Sequence, residues 1–171
     1  MQITAFDLAQ RFVGLREIAG PVSNAHILAM LRLDNTWIEG DEVAWCSAFV
    51  NYVCWLLRLP RSKSLAARSW LGVGMSIALE NAKPGYDVVV LKRGVGEQPG
   101  PEILAAPGHV GFFAGLEGAG SIRITGDVLF NSPDTRRVMI LGGNQGDQVS
   151  VVPFPVARVL GVRRLAVEAE A

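Results

Sequence analysis

The stretch Asp41-Glu42-Val43-Ala44-Trp45-Cys46-Ser47-Ala48-Phe49-Val50-Asn51-Tyr52-Val53-Cys54-Trp55-Leu56-Leu57-Arg58 decides how this chain reads. Asp41 and Glu42 stand ahead of a run from Trp45 to Leu57 in which nearly every residue is apolar. Negative charge before such a run suits the positive end of a helix, so the stretch predicts a helix opening at or near Cys46. At about 100° per residue, Ser47, Asn51, Cys54 and Arg58 share one narrow stripe and every other face is apolar. Such a helix belongs in the centre of a core. Its first turn would hold the Cys46 thiol in the field of unpaired N–H groups, which lowers a thiol's pKa and favours the nucleophilic thiolate. Cys54 lies mid-helix without that field and reads as a packing residue. A bridge between the two is excluded by the helix, since eight residues rise about 12 Å and a disulfide needs Cα atoms within about 7 Å.

Outward from this helix, 171 residues suffice for one domain with a full core, so 1–171 is taken as a single unit. Half the residues are hydrophobic and 19% charged, which marks a globular chain. Lys plus Arg and Asp plus Glu both number 16, so no basic excess points to nucleic acid or to an anionic surface. Two cysteines that do not pair fit a reducing compartment. Met1 to Asp7 shows neither the basic nor the apolar region of a signal peptide. No apolar run approaches the ~20 residues of a spanning helix. The expectation is a chain made in the cytoplasm and not inserted in a membrane.

Thr4 and Asp7 resemble a capping pair opening a helix through about Val13, closed by Gly14. Gly20-Pro21 marks a turn, and Ser23 or Asn24 caps a helix through Leu33. His26, in its first turn, reads as a surface or capping residue. After Leu59-Pro60, Ser62 or Ser64 starts a short helix ending at Gly72 or Gly74, with Trp70 in the core and Arg68 on the surface or ion-paired. From Pro84-Gly85 the pattern turns to strands: Asp87–Lys92, His109–Ala114, Ser121–Thr125, Val138–Leu141, Val149–Val152 and Val159–Arg163. Two long loops, about 93–108 and 126–136, are of a kind that often lines a site. The tail 165–171 is expected to fray. Helices first and an antiparallel sheet after them make an α+β domain.

A cysteine nucleophile needs a base, and the base needs a group to orient it. His109 opens a strand on which His109, Gly111 and Phe113 face one way and Val110, Phe112 and Ala114 the other; Gly111 would leave room beside the imidazole. Downstream, Leu141-Gly142-Gly143-Asn144-Gln145-Gly146-Asp147 offers Asn144, Gln145 and Asp147, any of which could hold an imidazole nitrogen and fix its tautomer. The stretch lacks the lysine and following helix of a phosphate loop, and no zinc-ligand spacing is present, so neither a metal nor another cofactor is expected.

The blocks DEVAWCSAFVN (41–51), AARSWL (66–71), GHVGFF (108–113), LGGNQ (141–145) and VLGVRR (159–164), with Glu17 to Pro21, Asn24 and Ile27 upstream, resemble a phage-associated branch of the NlpC/P60 and CHAP cysteine peptidases. The resemblance covers about 17–164. It implies a papain-like α+β fold, with the cysteine helix among N-terminal helices packed on an antiparallel sheet of about five or six strands. It also implies hydrolysis of amide bonds in peptidoglycan. Carried over by position, Cys46 is the nucleophile, His109 the base and Asn144 the orienting residue; Trp45, Asp41, Gln145 and Trp70 are candidates for substrate contact. The chain departs from the pattern at Gly142, where many CHAP sequences carry an acid, and at Gly85-Tyr86-Asp87, one residue longer. The implied setting is a phage or prophage lysin released by a separate membrane protein, or an interbacterial effector whose producer makes an immunity protein. A non-catalytic wall-binding or virion module, and an amidohydrolase acting on another amide, are the alternatives.

Overall fold

Five of the predicted strands join one antiparallel sheet in the computed structural model, which describes residues 3–20, 22–118, 124–125, 128–129 and 136–166. Three α-helices come first: α1 (Ala5–Gln10), α2 (Ala25–Arg32) and α3 (Cys46–Leu56). The strands are β1 (Met75–Ile77), β2 (Asp87–Lys92), β3 (Gly108–Glu117), β4 (Ile124–Thr125), β5 (Val128–Leu129), β6 (Arg137–Gly142), β7 (Ser150–Pro155) and β8 (Val159–Arg164). Six of them form a sheet in the order β1-β8-β2-β3-β6-β7, and β4 pairs only with β5. The α+β class is as expected. Most of the predicted strand at 121–125, most of the loop at 126–136, Pro21 of the predicted turn and the end of the tail lie outside the described residues.

α1 and α2 start where a side chain satisfies a free N–H group, whereas α3 opens after Trp45 with no side-chain cap. Thr4 and Asp7 form a reciprocal capping box on α1, and the Asn24 side chain accepts from His26 N at 3.0 Å on α2. α1 ends at Gln10, short of the predicted Val13, and turns lead to Gly14 at φ 91°. The helix predicted from Ser62 or Ser64 is instead a loop followed by a 3-10 turn, Ala67–Gly72. Its serines are used elsewhere. Ser64 O accepts from the Ser47 hydroxyl at 2.6 Å and from Asn51 Nδ2 at 3.1 Å, and Asn51 Oδ1 accepts from Lys63 N at 3.0 Å. Arg58 of the predicted stripe lies past α3 and is exposed, whereas Ser47, Asn51 and Cys54 are buried, and Ser47 and Asn51 clamp the 62–64 loop. This is how an otherwise apolar helix carries two amide and hydroxyl groups without leaving them unpaired.

Val88 and Val90 of β2, Val110 and Phe112 of β3 and Leu141 of β6 face the helices and share a core with Trp45, Cys46, Phe49, Val50 and Val53. The opposite face holds a second cluster of Val89, Leu91, Phe113, Val138, Ile140 and Val162, against which Phe154, Val156 and Val159 pack. Truncating a central residue such as Phe49 to alanine is a change of about 3–5 kcal/mol. The alternation of β3 therefore sends Val110 to the helices and His109 to the other face, as the strand pattern predicts.

Candidate active site

Cys46 is the first residue of α3 and is 2% exposed. Its sulfur faces the backbone N–H of Val110, and the N–H groups of Ser47 and Cys46 also act on it. The helix-end field is therefore present, but it does not govern. Burial pushes the thiol up, outweighing the backbone N–H groups and the Arg93 guanidinium that pull it down. The expected low thiol pKa is overturned in this resting arrangement, because desolvation of a thiolate costs more than a few dipoles return. Cys54 is fully buried mid-helix, and burial pushes its thiol up as well; both cysteines are free.

His109 is the second residue of β3, cross-strand from Leu91, and its ring lies against Phe154 with centroids 5.3 Å apart. Burial pushes its pKa down to about 4, opposed by the bond to Gln145 and reinforced by Arg93. Gln145 Oε1 lies 3.0 Å from His109 Nε2. The Gln145 amide nitrogen donates to Ser150 O at 2.5 Å and to Ile140 O at 3.3 Å. Carbonyls only accept, so the amide oxygen must face the ring, and Nε2 must carry the proton. Nδ1 is left as the basic nitrogen.

Thiol and imidazole lie on opposite faces of β3. The Val110 N–H that faces the sulfur belongs to the peptide joining Val110 to His109, which the two side chains approach from opposite faces of β3. No hydrogen bond joins Cys46 to His109 among the described residues.

The third position differs from expectation. Asn144 sits in the left-handed region at φ 56° and lines a cavity of about 240 Å³ with His109, Gln145 and Phe154, but it does not bond the imidazole. Gln145, one residue on, does. The turn carrying it is braced by the N-terminal segment: Val149 N donates to Leu15 O and Glu17 N to Asp147 O. The glycine that gives the imidazole room is Gly142, whose added Cβ would lie 3.1 Å from His109 Nε2 and 3.1 Å from Gln145 Oε1. Gly111 serves close strand approach instead, since a Cβ there would meet Ile140 and the Leu141 carbonyl.

Three of the four candidates for substrate contact are packing residues. Trp45 is fully buried, gives its N–H to Glu17 at 2.6 Å and lies under Gly143. Trp70 is fully buried and donates to the Ser47 hydroxyl at 2.9 Å. Asp41 is 3% exposed and accepts from Asn24 N at 2.7 Å, so it serves the start of α2 and not that of α3. Arg68, expected at the surface or in an ion pair, is fully buried with no carboxylate partner among the described residues. Its guanidinium donates to the carbonyls of Pro107, Pro99, Gly100 and Ile103. It thereby pins the long loop that leads into β3 and His109.

Sequence reasoning missed Arg93, which acts on both Cys46 and His109. The signal was its place just past β2, whose Leu91 and Lys92 pair with His109 and Gly108. The described residues contain no group of three side chains able to hold a metal ion, and no helix among them is long and apolar enough to cross a membrane. Comparison with family models, with curated proteins and with solved structures finds no match to this chain.

Proposed function

We propose that this chain is a peptidoglycan hydrolase of papain-like architecture, a cysteine endopeptidase or amidase with Cys46 as nucleophile and His109 as base. The observation that supports it is the pinned Gln145 amide. It holds His109 in the tautomer whose free nitrogen is Nδ1, the nitrogen a general base needs. A histidine present only for packing needs no such arrangement. Gln145 takes the positioning role that resemblance gave to Asn144. The substrate class comes from the resemblance of the WCSAFVN and GHVGFF blocks, and the six-stranded antiparallel sheet behind α3 is compatible with it.

In the proposed reaction the start of β3 must shift on substrate binding so that sulfur and Nδ1, which lie on opposite faces of that strand, come into contact, because rotation of the two side chains alone does not span it. His109 takes the thiol proton as sulfur attacks the amide carbonyl. The Cys46 N–H, free at the start of α3, donates to the oxyanion. His109 then gives its proton to the departing amine, leaving a thioester. Water, deprotonated by His109, attacks that thioester; the acid leaves and the thiol is restored. The neutral resting pair makes this general-base catalysis and not attack by a standing thiolate.

Cys46→Ala is expected to abolish clearing of purified cell walls while the circular dichroism spectrum is unchanged; undiminished clearing overturns the reading. The buried thiol, unpaired with the imidazole, favours one second reading, a wall-binding or virion module that keeps the fold without the reaction. Iodoacetamide separates the two in the presence of wall fragments: a catalytic Cys46 is alkylated far faster than Cys54, a structural one is not. A holin gene or an immunity gene beside this one would tell lysin from effector.

A further inference from the structure

The cavity beside His109 gathers three cationic side chains: Lys92 at the end of β2, Arg93 directly after it, and Arg158 in the turn between β7 and β8. Three arginines elsewhere in the described residues have acidic partners. Arg61 lies 2.7 Å from Asp34, Arg164 2.6 Å from Asp87 and Arg136 3.5 Å from Glu80. Among the described residues no carboxylate pairs with Lys92, Arg93 or Arg158, and none lines this cavity. Charges balance at 16 and 16 over the whole chain, so the cluster is a local asymmetry and not the consequence of a basic protein. A concave wall of one sign concentrates ions of the other, and like charges held together repel until an anion arrives. The rest of the wall is His109, Asn144, Gln145 and the Phe154 ring, and that ring suits an organic anion with an apolar body.

We infer that this cavity is a carboxylate subsite, and that the amide cleaved at Cys46 belongs to an acidic peptide whose free carboxylate is held by Lys92, Arg93 and Arg158. The inference rests on the hydrolase reading for the bond that is cut, but not for the anion. Two arginines suit the task, because the guanidinium fork matches a carboxylate with two parallel bonds. Arg93 adds a consequence for the chemistry. Its charge opposes a proton on His109, so an anion bound to it relieves that opposition and helps the imidazole take the thiol proton.

The test is a titration of the full chain followed by the imidazole nitrogen signals, with His26, exposed at the start of α2, as the reference within the same molecule. The probes are N-acetylglutamate, the neutral N-acetylglutamine amide, and inorganic phosphate. A saturable shift of His109 with N-acetylglutamate alone is expected, with binding about fivefold weaker in Arg93→Gln and in Arg158→Gln. Both arginines are exposed, so these variants keep the fold. The subsite is overturned by an absent shift, by an equal shift with the neutral probe, or by a shift that survives loss of both arginines. Tighter binding of phosphate overturns the carboxylate assignment. Cys46-dependent wall hydrolysis with a silent His109 removes the subsite and keeps the hydrolase; a responsive His109 without hydrolysis does the reverse.

Discussion

Gln145 Oε1 meets His109 Nε2 at 3.0 Å, with the other end of the same amide held by the carbonyls of Ser150 and Ile140. One glutamine therefore fixes both the place and the proton of the imidazole. Gln145→Ala should lower kcat by about 100-fold or more, the scale seen when a catalytic histidine loses its tautomer. Asn144→Gly, which suits the left-handed backbone there, should leave the Nε2-protonated nitrogen signature of His109 intact. Nitrogen-resolved spectra of the two variants check this; equal losses would return the role to Asn144.

Protons on His109 link pH to stability. Burial holds the folded imidazole near 4, below the 6.5 of a free one. The unfolded chain therefore takes up the proton first as pH falls. The contribution is whole above about pH 6.5 and is lost on descending through about 4, up to roughly 3 kcal/mol. Urea unfolding at pH 7 and pH 4 should show the loss in the wild type and a smaller one in His109→Leu. The acid limb of the rate should fall near the same pKa, since a protonated Nδ1 takes no thiol proton. Activity unchanged to pH 3 would contradict it.

Four carbonyls depend on Arg68. Arg68→Met, which keeps volume and removes the donors, should cost about 3 kcal/mol. It should also expose residues 94–106 to limited proteolysis. Arg68→Lys should not rescue it, because an ammonium lacks the planar fork. Digestion rates of the three proteins decide.

Adjacent glycines should fail differently. A Cβ on Gly143 would lie 2.5 Å from the Trp45 ring and 2.8 Å from Phe49, so Gly143→Ala should lower stability by about 2 kcal/mol. A Cβ on Gly142 presses instead on the His109–Gln145 pair. Gly142→Ala should lose more activity than stability. Melting temperature and wall-clearing rate, measured side by side, separate them.

The helix start at Cys46 was legible because an apolar run leaves few places for a helix to begin. β2 matched its predicted bounds, and β6 and β8 came within a residue or two, because alternation and β-branched residues mark them. β1 was not legible: three residues at a sheet edge, Met75 among them and half exposed, carry no pattern. The serines at 62 and 64 look like helix caps in sequence, and only the buried Asn51 shows why they stay in a loop. Sequence narrowed the orienting residue to one short turn, but choosing Gln145 required knowing where the Ser150 and Ile140 carbonyls point. Arg68 was misread because its partners are backbone oxygens 31 to 39 residues away, which no side-chain spacing announces.

Mass spectrometry of purified peptidoglycan, digested in parallel by the wild type and by Cys46→Ala, bears most directly on whether this thiol cuts a wall amide. The wild type should release fragments ending in one new carboxylate and one new amine per cut, and the variant none. Walls left whole by the wild type, or the same fragments from the variant, would contradict the proposal.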